Sequence, residues 1–178
     1  MNNRLLICTF AFVLLSSFEV AAGNPYERGY CGWVEASGAV NISDNMIDNS
    51  FGLLVVNGMN LGEGAFVGGC VGFGIRPYES FALPLLGEMK YSFLDKKTTP
   101  FVSIRVGAEI IGEQQELVGG AFVFSPGVGL EMGRFSARIG YNLEAGAVSS
   151  PSIVPEQGYV NAHIRNSSFY FGIGWRFF

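Results

Sequence analysis

The sequence predicts an all-β fold, an eight-stranded antiparallel up-and-down transmembrane β-barrel following a cleaved signal peptide. Three observations predict it. Apolar residues alternate with small or polar ones at period two over stretches of about ten residues, the length at which a tilted strand crosses a bilayer. Short, turn-like connections alternate with longer polar ones, as at the two ends of a barrel. Composition supplies the third: 49% of the chain is hydrophobic and 15% charged, with 25 glycines and 25 aromatics (16 Phe, 7 Tyr, 2 Trp) in 178 residues. A soluble domain carries about 25% charge and about 7% glycine.

Residues 1–22 read as a secretory signal peptide. Arg4 gives a positive start, Leu5–Phe18 is an apolar run, and Val20-Ala21-Ala22 supplies small residues for cleavage. The run is shorter than the roughly 20 residues of a membrane-spanning helix. Residues 23–178 then form the barrel. Cys8 lies inside the apolar run and too near the start to anchor a lipid.

The strands follow in order. Tyr30–Val40 sets Tyr30, Val34, Ala36 and Val40 against Cys31, Trp33, Glu35 and Ser37. Phe51–Gly58 contains a continuous apolar run, Leu53–Val56, and is assigned as a strand because the count is otherwise odd. Ala65–Ile75 sets Val67, Val71, Phe73 and Ile75 against Phe66, Cys70 and several glycines. Leu83–Phe93 sets Leu85, Met89, Tyr91 and Phe93 against Leu86, Glu88, Lys90 and Ser92. Phe101–Ile110, Ala121–Met132, Phe135–Ala145 and the final stretch through Phe177 alternate throughout. Asn60–Gly64, Asp95–Pro100 and Glu131–Arg134 are short turns; Asn41–Ser50, Arg76–Ala82, Ile111–Gly119 and Gly146–Asn166 are expected as long loops at the other end.

The apolar face belongs outside. An eight-stranded lumen is only wide enough for side chains to fill. The large aromatics of the apolar face overfill it, whereas glycine, serine and a few charges fit. Tyr91, Phe93, Phe135, Trp175 and Phe177 fall near the short-turn end, where an aromatic girdle meets the membrane–water interface.

The segments GAFVGGCVGFG, PLLGEMKYSFLDKKTTPFVSIRVGAEI, GGAFVFSPGVGLEMGRFSARIGYNL and the terminal FYFGIGWRFF resemble the small bacterial outer-membrane β-barrel family, which includes outer membrane protein X and the barrel of outer membrane protein A. The resemblance spans Tyr30–Phe178. It implies residence in the cell outer membrane, contact with outer-membrane lipid and delivery by the outer-membrane assembly machinery. Phe178 departs by one residue from the phase of the last strand.

Eight charges fall on the lumen phase: Glu35, Glu88, Lys90, Arg105, Glu109, Arg138, Glu144 and Arg176. Charges in a narrow lumen require partners, so they are expected to form an ion network that plugs the barrel. Cys31 and Cys70 share that phase but sit on strands one and three, about 10 Å apart at about 4.8 Å per strand. A disulfide needs under about 7 Å, so two free thiols are expected, with a bridge as the alternative. The longest loop carries Pro151, Pro155, Glu156, Tyr159 and His163 as candidates for contact with a surface ligand.

One histidine excludes a multi-histidine metal site, and no cofactor is expected. Net charge −4 excludes a basic nucleic-acid footprint. Gly127–Gly133 has the glycines of a phosphate loop but no following helix. The expected protein is non-enzymatic and porin-like in fold, serving envelope integrity, surface contact or adhesion. The alternatives are a lipid-modifying outer-membrane enzyme using His163, a narrow channel, or a subunit of a secretion apparatus.

Overall fold

The computed structural model describes residues 26–41, 49–76, 80–113, 116–151 and 159–177. The segment 1–22, expected to be a signal peptide, and the question of Phe178 lie outside them. Eight strands run in order: β1 (Gly29–Asn41), β2 (Asn49–Gly62), β3 (Ala65–Ile75), β4 (Ser80–Ser92), β5 (Thr98–Glu113), β6 (Glu116–Met132), β7 (Phe135–Pro151) and β8 (Tyr159–Arg176). Each pairs antiparallel with the next, and β8 returns to β1 through Trp33↔Arg176 to Asn41↔Ser168, closing the barrel. Closure leaves no strand edge along the barrel wall.

The short-turn end lies where the sequence places it. At the β2–β3 turn Gly62, Glu63 and Gly64 all have positive φ (93°, 54° and 82°), a conformation that glycine adopts without a Cβ penalty. Gly133 plays the same part at the β6–β7 turn.

The long-loop end differs from expectation. Ile111–Glu113 and Glu116–Gly119 belong to β5 and β6, and the β7–β8 hairpin continues to Pro151↔Tyr159. Of the expected loop Gly146–Asn166, Gly146–Pro151 and Tyr159–Asn166 are therefore strand. These strands leave the belt where one face must be apolar, so alternation fades although the backbone ladder continues.

Proline marks two gaps in the ladder. Pairing of β3 with β4 skips from Val71↔Leu85 to Gly74↔Ala82, across Pro84. Pairing of β6 with β7 skips from Phe124↔Leu143 to Gly127↔Gly140, across Pro126. Proline has no N–H to donate, yet the register on either side is unchanged.

The exterior is apolar. Leu85, Met89, Ile104, Ile139, Phe171 and Ile173 are 47–69% exposed. Along β4 and the residue that follows it, the outward apolar positions run from Leu83 to Phe93, about ten residue steps. At about 3.3 Å per residue and a tilt near 40°, that spans about 25 Å, the height of the apolar band of a transmembrane barrel. Tyr30, Tyr91, Phe93, Phe135 and Trp175 are exposed near the short-turn end. Tyr91 and Phe93 meet edge to face at 5.3 Å.

The lumen is more apolar than small residues and charges alone provide. The Leu53–Val56 run divides between faces: Leu53 and Val55 point out, whereas Leu54 and Val56 point in. Leu54 and Val56 join Cys31, Trp33, Phe66, Cys70, Leu86 and Val123 in one buried cluster. Glycines make room for the inward rings. Tyr170 lies across Gly140, where an added Cβ would sit 2.5 Å from the ring.

Candidate functional site

The structure places all eight sequence-assigned lumen charges inside the barrel, each no more than 8% exposed. They stack in three layers, because inward positions on successive strands sit at three heights.

The middle layer holds Glu35 (β1), Glu88 (β4), Arg105 (β5) and Arg138 (β7). Arg105 donates Nη1 and Nη2 to the two carboxylate oxygens of Glu35, both at 2.7 Å, and Nε to Glu88 Oε2 at 2.9 Å. Arg138 donates Nη2 to Glu88 Oε1, and its Nε lies 3.9 Å from Glu35. Two cations balance two anions. Cys70 Sγ adds a bond to Glu88 Oε2 at 3.4 Å.

The layer toward the short turns holds Lys90, Arg176 and Glu131. Glu131 accepts from Lys90 Nζ at 2.5 Å, Arg176 Nη2 at 2.6 Å and Ser92 Oγ at 3.2 Å. These three groups carry one surplus positive charge. Lys90 Nζ sits 4.1 Å from the centre of the Trp33 ring, 5.3 Å from that of Phe66 and 5.5 Å from that of Phe101, so aromatic faces offset the surplus.

The layer toward the long loops holds Glu109 (β5), Glu144 (β7) and Arg76, which follows β3. Arg76 Nη2 donates to Glu109 Oε1 and, at 3.1 Å, to both oxygens of Glu144. These three groups carry one surplus negative charge. Below them lies a cavity of about 110 Å³, lined among others by Ser37, Arg105, Ser125, Asn142 and Tyr170.

Arg76 and Glu131 escaped the sequence assignment although the signal was present. Glu131 lies on the inward phase of β6 but reads as part of a turn. Arg76 is the next inward position after Gly74, one residue past the end of β3. Cys31 and Cys70 are buried and free.

The candidate surface residues separate. Pro151 and Tyr159 pair at the tip of the β7–β8 hairpin, and His163 pairs with Ala147 within it. Those three are strand residues, not loop residues, while Pro155 and Glu156 lie outside the described residues. Among the described residues no group of three or more His, Cys, Asp or Glu is arranged to hold a metal ion.

No protein-family model matches the chain, and no curated protein matches its sequence. Solved structures do. Neisserial surface protein A aligns with a TM-score of 0.57 at 9% identity, covering 84% of this chain and 98% of that one. The N-terminal β-barrel domain of OprF from Pseudomonas aeruginosa aligns with a TM-score of 0.51 at 12% identity, covering 85% and 100%. The outer membrane enzyme PagL aligns with a TM-score of 0.48 at 14% identity, covering 78% and 97%. The first two likenesses are of fold, and the chain has the small closed β-barrel fold that the resemblance in its sequence implies.

Proposed function

We propose that this chain is a non-enzymatic integral protein of the bacterial outer membrane, with a lumen closed by ion pairs and a working surface at its long-loop end. The observation that carries the reading is the inversion of the barrel. A belt of exposed Leu, Ile, Val, Met and Phe surrounds a lumen that buries nine paired charged side chains, with a tenth, Arg76, partly exposed at its long-loop end. That inversion suits hydrocarbon outside. Ion pairs of the middle layer reach across the lumen from β1 and β4 to β5 and β7, which supports a closed barrel over a solute channel.

The working surface follows from strand length. The β1–β8 ladder stops at Asn41↔Ser168, while β7 and β8 stay paired to Pro151↔Tyr159. This hairpin stands past the rim on the side away from the short turns and supports envelope contact or adhesion.

Fractionation tests the location: the chain is expected in the outer-membrane fraction, with faster gel migration unboiled than boiled. Recovery as a soluble periplasmic protein refutes it. Reconstitution in liposomes tests the plug. No steady single-channel current is expected, and a sustained one refutes the closed lumen.

A further inference from the structure

We infer that the rim formed by the β4–β5 and β6–β7 turns binds the phosphate headgroup of an anionic phospholipid, in the leaflet that the short turns face. The inference rests on the membrane reading above and adds to it a lipid class and a place.

The turns carry the first argument. The β4–β5 turn is fixed by bonds from the Leu94 N–H to Thr99 Oγ1 and from the Lys96 N–H to the Leu94 carbonyl, both at 2.9 Å. The Gly133 N–H of the β6–β7 turn donates to the Lys97 carbonyl at 2.7 Å, so the two turns abut. Lys96, Lys97 and Arg134 are thereby gathered on one side of the rim. All three are exposed, and none forms a salt bridge among the described residues. Asp95 is the acidic residue on these turns. The opposite side of the rim, at β1 to β3, sets Arg28 against Glu27 and Glu63. Surplus positive charge therefore belongs to the β4–β7 side.

The lumen adds to it. Arg134 lines a small cavity together with Lys90, Arg176 and Glu131, the layer with one surplus positive charge. The rings beside Lys90 attract its ammonium but carry no countercharge. That surplus strengthens the field at the same side of the rim.

The wall supplies the second, independent argument. Phe93, Leu94, Met132 and Phe135 are exposed beside the three cations. Farther along the same strands, the register sets Tyr91, Val102, Val128 and Ile139 side by side. With Met89 and Ile104 these exposed residues line an apolar depression of about 1180 Å³. That is larger than the about 300–1,000 Å³ of a small-ligand site, and it suits acyl chains. A soluble anion uses the cations alone, whereas a phospholipid uses cations and wall together. Basic side chains at the edge of an apolar band match a headgroup above its chains.

Trp175 reports on this place. It is exposed and pairs with Phe135, the residue after Arg134, whereas Trp33 is buried in the lumen. The test is quenching of tryptophan fluorescence in the full barrel refolded into phosphatidylcholine vesicles. These contain either brominated phosphatidylglycerol or brominated phosphatidylcholine. Phosphatidylglycerol is expected to be preferred roughly tenfold or more at low salt, and the preference is expected to shrink as salt screens it. Arg134→Gln and Lys97→Gln are each expected to cut the preference roughly fivefold, the effect of one cation near a membrane surface. Arg28→Gln removes the same charge from the opposite side of the rim and is expected to leave the preference unchanged. Unboiled gel mobility shows that each variant is folded. Equal quenching by the two lipids, or a loss in Arg28→Gln as large as that in Arg134→Gln, overturns the site and leaves the membrane reading standing. Quenching of Trp175 by neither lipid overturns both. Displacement of phosphatidylglycerol by soluble polyglutamate assigns the patch to an acidic protein and overturns the lipid assignment.

Discussion

Arg105 is the side chain on which the middle layer depends, and Arg105→Met is the sharpest test of that layer. Methionine keeps much of the length and apolar stem while removing the charge. Three charge-assisted bonds disappear, two to Glu35 and one to Glu88. Glu88 retains Arg138, but Glu35 keeps only Arg138 Nε at 3.9 Å, beyond hydrogen-bond reach. Glu35 is 1% exposed, so it is left as a buried anion with little compensation. Removing one partner of a buried pair costs about 3–5 kcal/mol, a factor of roughly 10³ in the folding equilibrium at about 1.4 kcal/mol per decade. Adding Glu35→Gln removes the stranded charge, so the double variant is expected to recover about half of the loss, a coupling of at least about 2 kcal/mol. Urea unfolding of the barrel in lipid vesicles, followed by unboiled gel mobility and tryptophan fluorescence, reads each corner of the cycle. A loss under about 1 kcal/mol for Arg105→Met, or strict additivity in the double variant, refutes the claim that the layer acts as one unit.

Three further outcomes follow from the same geometry. Ile104→Arg, in the middle of the outer belt, is expected to cost about 2–4 kcal/mol in vesicles, whereas on a water-facing wall it is close to neutral; urea titration in vesicles separates the two. Gly140→Ala is expected to destabilise strongly, because its Cβ meets both the Pro126 carbonyl and the Tyr170 ring, while Gly87→Ala, with its nearest atom at 3.7 Å, stays near wild type in unfolding midpoint. Cys31 and Cys70, at 2% and 0% exposure, are expected to react with a maleimide only after unfolding; rapid double labelling of the folded barrel, read by mass, contradicts their burial.

The inward and outward phases were legible because the membrane imposes a sharp rule on each strand. Val102, Ile104, Val106 and Ile110 alternate against Ser103, Arg105 and Glu109, and the structure keeps every one of those directions. The limits of β5 to β8 were not legible at the long-loop end. In Gly146–Pro151 and Tyr159–Asn166 neither face has to be apolar, so backbone pairing alone holds the hairpin and leaves no period in the sequence. The identity of the ion partners was equally hidden. Arg105 meets Glu35 across 70 positions of chain, and which inward residues share a height depends on the stagger that closes the barrel. Only the need for a partner, not the partner, could be read from one strand.

The charges also explain why an apolar lumen is not the better solution. In lipid, both faces of a strand such as Leu53–Val56 are acceptable to hydrocarbon, so burial alone does not fix which face points inward. A slip of one residue inverts every side chain of a strand. For β5 that slip turns Arg105 and Glu109 toward lipid, and an arginine at mid-membrane costs about 2–4 kcal/mol. Its former partners are stranded at the same time, at a further cost of several kcal/mol. For β4 the slip exposes Glu88 and Lys90, and for β7 it exposes Arg138 and Glu144. β2 has no such charge, and it is the strand whose sequence pattern is weakest. Its direction is fixed instead by its neighbours: β1, which carries Glu35, through Val34↔Val55, and β3 through Val56↔Cys70. The ion pairs thus contribute to inside–outside specificity on the strands that carry them, and antiparallel pairing passes that specificity to those that do not.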